Sequence, residues 1–275
     1  MAAGGVAVVV NVGVVVAVVV VVGVGDGVVV GAAVVVVVGV GVAVGVAVVV
    51  GVGVGVAVVV VVGVGDGVVG RMNMEQGTAE WLAARLGRAT ASRVADICAK
   101  TKSGPSASRG NYLLELVTER LTGEPTPFFV NSAMQWGTDN EPHAREAYEV
   151  THDCFVEEVG FIAHPLIAMA GASPDGLVGE HGLVEIKCPN SLTHVTTLRE
   201  NAVPAKYLPQ IFFQMACTGR AWCDFVSYDP RLPTNCQLFV KRVERDHVRI
   251  AEIENDVEAF LAEVAATEAE LRGRK

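Results

Sequence analysis

From Arg71 onward, the alternation of hydrophobic and polar positions predicts helices first, then strands, then a closing helix. Val94, Ile97 and Cys98 share one face of a short helix that Thr90 or Ser92 would cap. Leu113, Leu114, Val117 and Leu121 mark a second amphipathic helix, ended by Gly123 and Pro125. A third is expected to begin near Asp139 and Asn140, with Pro142 in its first turn and Ala144, Ala147 and Tyr148 turned inward. Apolar β-like runs follow at residues 154–162 and 167–172. Residues 183–188 read as a strand on which Glu185 and Lys187 share a face and Ile186 takes the other. A helix over residues 207–217 lines up Tyr207, Gln210 and Gln214 along one stripe, although Pro209 would bend it beside Gln210. Strands at 222–228 and 236–243 precede a helix from about Asp246, with Ile250, Ile253, Val257, Phe260, Leu261 and Val264 at helical spacing. The mixture predicts a sheet with helices packed on it, in the α/β or α+β class.

Composition divides the 275 residues at about position 71. Residues 1–70 are Val, Gly and Ala apart from Met1, Asn11, Asp26 and Asp66, and residues 17–31 nearly repeat at 57–70. A membrane span is disfavoured because Gly recurs throughout, Lys and Arg are missing, and no aromatic belt is present. Gly-Val alternation also suits a silk-like β segment. Val, Ala, Gly and Asp all have codons beginning with G, so the favoured reading is a low-complexity segment born of repetitive DNA or of a start placed too far upstream. Met72 or Met74 would then open a complete domain, residues 71–275. The absent basic stretch also argues against a conventional secretory signal.

Two of the 30 acids lie in the first segment, leaving 28 acids against 21 bases, a net −7, in the remainder. A uniformly basic nucleic-acid binder is excluded. A local basic surface is not, since Arg85, Arg88, Arg93, Lys100, Lys102 and Arg109 are opposed in that stretch only by Asp96. The six cysteines form no C-x-x-C pair and the six histidines no metal-binding motif, so reduced, mostly buried thiols are expected.

Residues 173–189 carry the chemistry. Pro174-Asp175-Gly176 is a turn signal, and Glu185-Ile186-Lys187 follows ten residues after Asp175. Those residues alone also fit a plain hairpin with a solvated strand. Phosphodiester cleavage by divalent ions roughly 4 Å apart needs acids from different elements and a cation to orient water and offset phosphoryl charge. Asp175, Glu185, Lys187 and the Ile186 backbone carbonyl meet that need.

The pattern P-D-x(9)-E-x-K resembles the PD-(D/E)XK nucleases of the restriction-endonuclease-like fold, a mixed central sheet flanked by helices. The more specific stretches are LAARLGRATASRV (82–94), QWGTDNEPHAREAYE (135–149), GASPDGLV, LVEIKCP, KYLPQIFFQM (206–215) and SYDPR (227–231). In that order they resemble lambda exonuclease and the YqaJ-like viral recombinase family. The resemblance implies a Mg²⁺-dependent 5′→3′ exonuclease on linear duplex DNA, with Mn²⁺ as an alternative and two ions in the site. It implies Asp175, Glu185, the Ile186 carbonyl and Glu141 as metal ligands, Lys187 on the water, and Gln210 near the reaction. Arg85, Ser92 and Ser173 would hold the 5′-phosphate, for which a guanidinium fork and hydroxyls are suited. Gln214 is read as a polar helix face and His143 as surface. A homotrimer around DNA, a single-strand annealing partner and a cytoplasmic setting are also implied. An endonuclease on the same fold, a nuclease on RNA or single strands, and a non-catalytic DNA-end-binding protein are the rival readings.

Overall fold

The structure is a computed structural model that describes residues 75–102, 104–127 and 129–274, together with Val24, Gly25, Val28 and Val29. The chain divides into two units, Met1–Val68 and Val69–Lys275. In the first, β1 (Val24–Gly25) and β2 (Val28–Val29) pair antiparallel, with Val24 opposite Val29. The readings made for residues 1–70 otherwise lie outside the described residues.

The second unit begins with α1 (Ala79–Arg85), which the apolar pattern had not marked; Thr78 caps it by accepting from Trp81 N. β3 (Ala89–Thr90) and a 3-10 turn lead into α2 (Val94–Cys98), which buries Val94 and Ile97 as expected. A small hairpin, β4 (Lys100–Thr101) and β5 (Gly104–Pro105), precedes α3 (Ala107–Thr122). Gly123 ends α3 at φ 74°, a conformation open to glycine at little cost. The buried face of α3 is Tyr112, Leu116 and Val117, while Leu114 and Leu121 are 57% and 37% exposed. Tyr112 turns the helix that way: its ring stacks on Phe260 at 5.4 Å, and its hydroxyl accepts from Thr90 N and donates to Arg88 O.

α4 spans Ser132–His152, seven residues longer at its start than Pro142 predicted. Asn131 is the true cap, its side chain accepting from Ala133 N and Met134 N, so Pro142 lies inside the helix. Ala144 and Tyr148 are buried and Ala147 is half-buried. The two apolar runs after α4 break into β6 (Val156–Glu157), β7 (Ile162–Ala163) and β8 (Ala170–Ala172), because β6 joins one sheet and β7 and β8 another. Then come β9 (Gly176–Val178), β10 (Gly182–Lys187), and α5 (Ser191–Glu200), a polar helix that the pattern did not predict and that Asn190 caps. α6 (Leu208–Thr218) carries Pro209 in its first turn, where proline costs no hydrogen bond, so the expected bend does not arise. β11 (Trp222–Tyr228), β12 (Leu238–Glu244) and α7 (His247–Arg272), capped by Asp246, complete the chain.

The main sheet runs β12-β11-β10-β9-β6, with β10 and β11 parallel and the other neighbours antiparallel. A second, three-stranded sheet has the order β3-β8-β7, with β3 parallel and β7 antiparallel to β8. On one face of β10 and β11, Leu183, Cys223 and Phe225 pack with α2, α3, α6 and α7; on the other, Val184, Ile186 and Val226 pack with Ala144 and Tyr148 of α4. A mixed sheet flanked by helices results, as the α/β (α+β) reading required.

Candidate active site

The β9–β10 hairpin aligns Leu177 with Leu183 and Gly176 with Val184, so one further step sets Asp175 opposite Glu185. That register explains the ten-residue spacing: opposed residues of an antiparallel pair point to the same face. β9 stops at Gly176, and the backbone of Ile186 turns to Asp175 instead, its N–H donating to Asp175 Oδ2 at 2.6 Å. A strand residue presents N–H and C=O to the same side, so the Ile186 carbonyl faces the edge where Asp175 lies. Gly176 is required there, because a Cβ would stand 2.1 Å from Val156 Cγ1 of β6.

Glu185 is fully buried on the α6 side. Gln210 Nε2 donates to its Oε1 at 2.6 Å, Gln214 Nε2 donates to its Oε2 at 2.6 Å, and Lys187 Nζ contacts Oε1. Residues four apart on a helix lie one above the other, and this stacks the two glutamines on the same carboxylate. The polar face assigned to Gln214 is thus turned into the site, and its own Oε1 is buried with no partner. Burial and the neighbouring Glu185 push the Asp175 carboxyl well above its ordinary range, with Lys187 acting against them. Burial acts to lower the Lys187 ammonium, but Glu185 and Asp175 outweigh it, so Lys187 is held protonated.

Glu141, on α4, lies within electrostatic reach of Lys187 and Glu185, and burial raises its carboxyl. Its Oε1 accepts from Arg145 at 3.0 Å, and Arg145 also reaches Glu158 at 2.6 Å. Among the described residues no three His, Cys, Asp or Glu side chains close into a metal-binding cluster. The donors that do converge are Asp175, Glu185 and the Ile186 edge. They are hard oxygens, and the Asp175 carboxyl is raised by burial and then by the like charge of Glu185, a repulsion that a divalent cation would relieve. The donor set therefore fits such an ion.

Two residues before Asp175, Ser173 Oγ accepts from Trp81 Nε1 at 2.9 Å and Arg85 Nη1 at 3.2 Å, and the Arg85 guanidinium stacks on Trp81 at 4.1 Å. Burial lowers the pKa of Arg85, which has no carboxylate in ion-pair range among the described residues. Such a buried, unbalanced cation is suited to an anion. Ser92 is exposed, with its hydroxyl 3.4 Å from Thr90 Oγ1 and no hydrogen bond to Arg85 or Ser173. Sequence reasoning missed Trp81, although its spacing of four from Arg85 was a readable signal, and Arg145, four residues from Glu141. It also missed Gln76, whose Nε2 ties Val159 O and Pro174 O at 2.9 and 2.8 Å; nothing in the local pattern marks that residue. His143 is exposed, as expected.

The local basic surface that the sequence leaves open over residues 85–109 is divided by ion pairs. Arg93 pairs with Asp96 and Glu115, Lys100 with Asp256, and Arg109 with Glu263. Three of those carboxylates come from α3 and α7, distant in sequence. Among the described residues Arg85, Arg88 and Lys102 remain without a carboxylate partner. All six cysteines are free, with Cys188, Cys217 and Cys223 buried. No helix among the described residues is long and apolar enough to cross a membrane.

Residues 80–221 match the YqaJ-like viral recombinase domain. Two crystal structures of an alkaline exonuclease (LHK-Exo) from Laribacter hongkongensis, one in complex with dAMP, share 55% identity with the chain at a TM-score of 0.67. Each covers 71% of this chain and 96% of its own. A phage-related exonuclease from Haemophilus somnus 129PT, at 16% identity and a TM-score of 0.56, covers 67% and 96% and shares the fold. No curated protein matches. Opposed buried carboxylates with a lysine on the same strand face, on a sheet shared with exonucleases, define the class: the protein is a nuclease, an enzyme that cleaves phosphodiester bonds. The chain belongs to the YqaJ-like viral recombinase family.

Proposed function

We propose that this exonuclease acts on linear duplex DNA, degrading one strand 5′→3′ from a 5′-phosphorylated end and leaving a 3′ single-stranded tail. The observation that carries the reading is the position of Ser173. Its hydroxyl is held by Arg85 and Trp81, and it lies two residues from Asp175. A phosphate seated on Arg85 and Ser173 would place the first phosphodiester bonds of a strand beside the carboxylates. An internal cut has no need of such a seat.

Asp175, Glu185, the Ile186 carbonyl and, on release from Arg145, Glu141 would hold Mg²⁺, with Mn²⁺ as a substitute and two ions as the expected number. When bound, the metal supplies positive charge at the phosphoryl oxygens and acidifies water. Gln210 and Gln214 keep the Glu185 oxygens aimed into the site. Lys187, protonated, donates to the water or to a phosphoryl oxygen and does not itself take up the proton. Arg85 and Ser173 set the register of the strand, with Ser92 completing the seat on approach of DNA. Residues 71–275 make up the nuclease domain in this reading. By family resemblance the chain forms a homotrimer around DNA, works with a single-strand annealing protein in phage-type recombination, and is cytoplasmic.

Incubating the full chain with 5′-phosphorylated linear duplex and with a closed circle, each with and without Mg²⁺, tests the proposal. Shortening of the linear DNA from its 5′ ends in Mg²⁺ alone, with the circle intact, is expected. Cleavage of the circle overturns the exonucleolytic reading.

A further inference from the structure

One stretch, Ser227-Tyr228-Asp229-Pro230-Arg231, has no part in the site just described. β10 and β11 run parallel with Lys187 opposite Ser227, so Pro189 and Asp229 both lie two residues beyond that pair. Asp229 is fully buried, and Arg231 folds back onto it through three bonds: its backbone N to Oδ1 at 3.0 Å, Nε to Oδ1 at 2.7 Å and Nη2 to Oδ2 at 3.0 Å. Burial acts to raise the Asp229 carboxyl, but the bonds from Arg231 and Ser191 prevail and bring it to about 2, so the pair is ionised. Nη2 also donates to Pro189 O at 3.4 Å. The loop is fixed from behind, where Gln237 Nε2 ties Pro230 O and Leu232 O.

The other face of the guanidinium lies 4.2 Å from the Trp136 ring of α4. The Trp136 indole N–H is buried without an acceptor, so no hydrogen bond from the ring holds it in place. Asn140 Nδ2 donates back to Trp136 O at 2.8 Å, and Glu141 is the next residue. Arg231 thus touches the chain just past Lys187, the end of β11, and the helix that bears Glu141. Trp136 and Glu141 are five positions apart on one continuous helix, about 7.5 Å along its axis, so the seat of Trp136 bears on where the Glu141 carboxylate stands.

We propose that Arg231 is a positioning residue: by gripping Asp229, the Pro189 carbonyl and the Trp136 ring together, it fixes Glu141 relative to Glu185 and Lys187 and so sets the spacing of the acids that hold the divalent ion. The proposal rests on the metal-dependent reading given above. The Arg231 side chain is 45% exposed but its partner Asp229 is fully buried, so loss of the pair costs stability as well as the alignment of the acids, and unfolding is measured beside binding.

Calorimetric titration of the full chain with Mg²⁺ alone, run beside thermal unfolding, tests this. Arg231→Ala is expected to weaken Mg²⁺ binding about 10- to 100-fold, the usual cost of losing a group that orients a metal ligand. The Mg²⁺ needed for half-maximal cleavage should rise in parallel, and kcat should recover at high Mg²⁺. Because Arg231→Ala leaves the buried Asp229 unpaired, the double variant Asp229→Asn/Arg231→Met, which removes both charges, is measured as well and should show the same loss. Trp136→Phe, which keeps a ring beneath the guanidinium, should bind Mg²⁺ within a few-fold of the parent chain. Wild-type Mg²⁺ affinity in both Arg231 variants, with or without a lowered Tm, overturns the positioning role. Failure of the unaltered chain to bind Mg²⁺ removes the metal-dependent reading, and this inference with it.

Discussion

Glu185 shows how much one buried carboxylate demands of its neighbours. An ionised group taken out of water is tolerated only when its lone pairs are met. Here two glutamine N–H donors and a lysine do so, all from residues that the helical and strand periodicities had already placed on common faces. Lys187→Ala removes the one cation between Asp175 and Glu185, and Asp175→Ala removes one of the two opposed oxygen donors. Either should lower Mg²⁺-dependent cleavage by about 10²–10³-fold or more, with the far-UV circular dichroism spectrum unchanged; a variant that cleaves at the parent rate would show that the cluster is not the reaction centre. The basic cluster gives the contrary lesson at this scale. Arg93 and Arg109 read as free cations in sequence because Glu115 and Glu263 are brought to them only by packing.

Among elements, the β9–β10 hairpin was the most legible, because a period of two and a turn signal act within twenty residues. α4 and α5 were less so. The start of α4 depends on a capping asparagine eleven residues before a proline that looked like a beginning, and α5 has too few apolar positions to reveal a face. The second sheet was obscured by its brevity, and its closeness is visible at Gly171 of β8. A Cβ at Gly171 would lie 2.2 Å from Phe161 Cζ and 2.6 Å from Ile162 O, and that carbonyl belongs to a paired strand. Gly171→Ala is expected to destabilise by about 1–3 kcal/mol, with Tm falling roughly 2–4 °C for each kcal/mol. Gly110, in α3 with nothing within 4 Å of a Cβ, is the control. Gly110→Ala should stabilise by about 0.5–1 kcal/mol. Thermal unfolding of the two variants checks both signs, and equal shifts would contradict the steric account.

Over the whole molecule, His164 joins elements far apart in the chain. Its Nδ1 accepts from Leu166 N and Ile167 N, its Nε2 meets Glu254 of α7 at 3.1 Å, and its ring stacks on Phe213 of α6. Burial lowers its pKa below the ordinary value, with Glu254 and Glu258 acting the other way. Protonation would place a hydrogen on Nδ1 and break the two backbone bonds it accepts. The folded pKa lies below the unfolded value of about 6.5, so the unfolded chain binds more protons between them. The contribution is complete above that value and is lost as pH falls through the folded pKa. Tm should therefore drop as pH falls below about 6.5, and His164→Gln should flatten that part of the profile; an unaltered slope in the variant would place the acid sensitivity elsewhere.

The amino-acid sequence by itself determined the class of secondary structure, the facing of Glu185 and Lys187, the glutamine stripe, the closing helix and the family. These follow from local periodicity and from motifs in fixed order. Tertiary structure alone decided that Asp175 stands opposite Glu185, that Gln214 reaches the carboxylate, that Ser92 makes no hydrogen bond to Arg85, and that Arg93, Lys100 and Arg109 are met by acids of other elements. Each of these depends on which surfaces meet, and the free energy of burying a charge is settled by partners that local spacing does not specify. Residues 173–189 remain a turn and a strand, and the same register that makes them a hairpin brings Asp175 to Glu185.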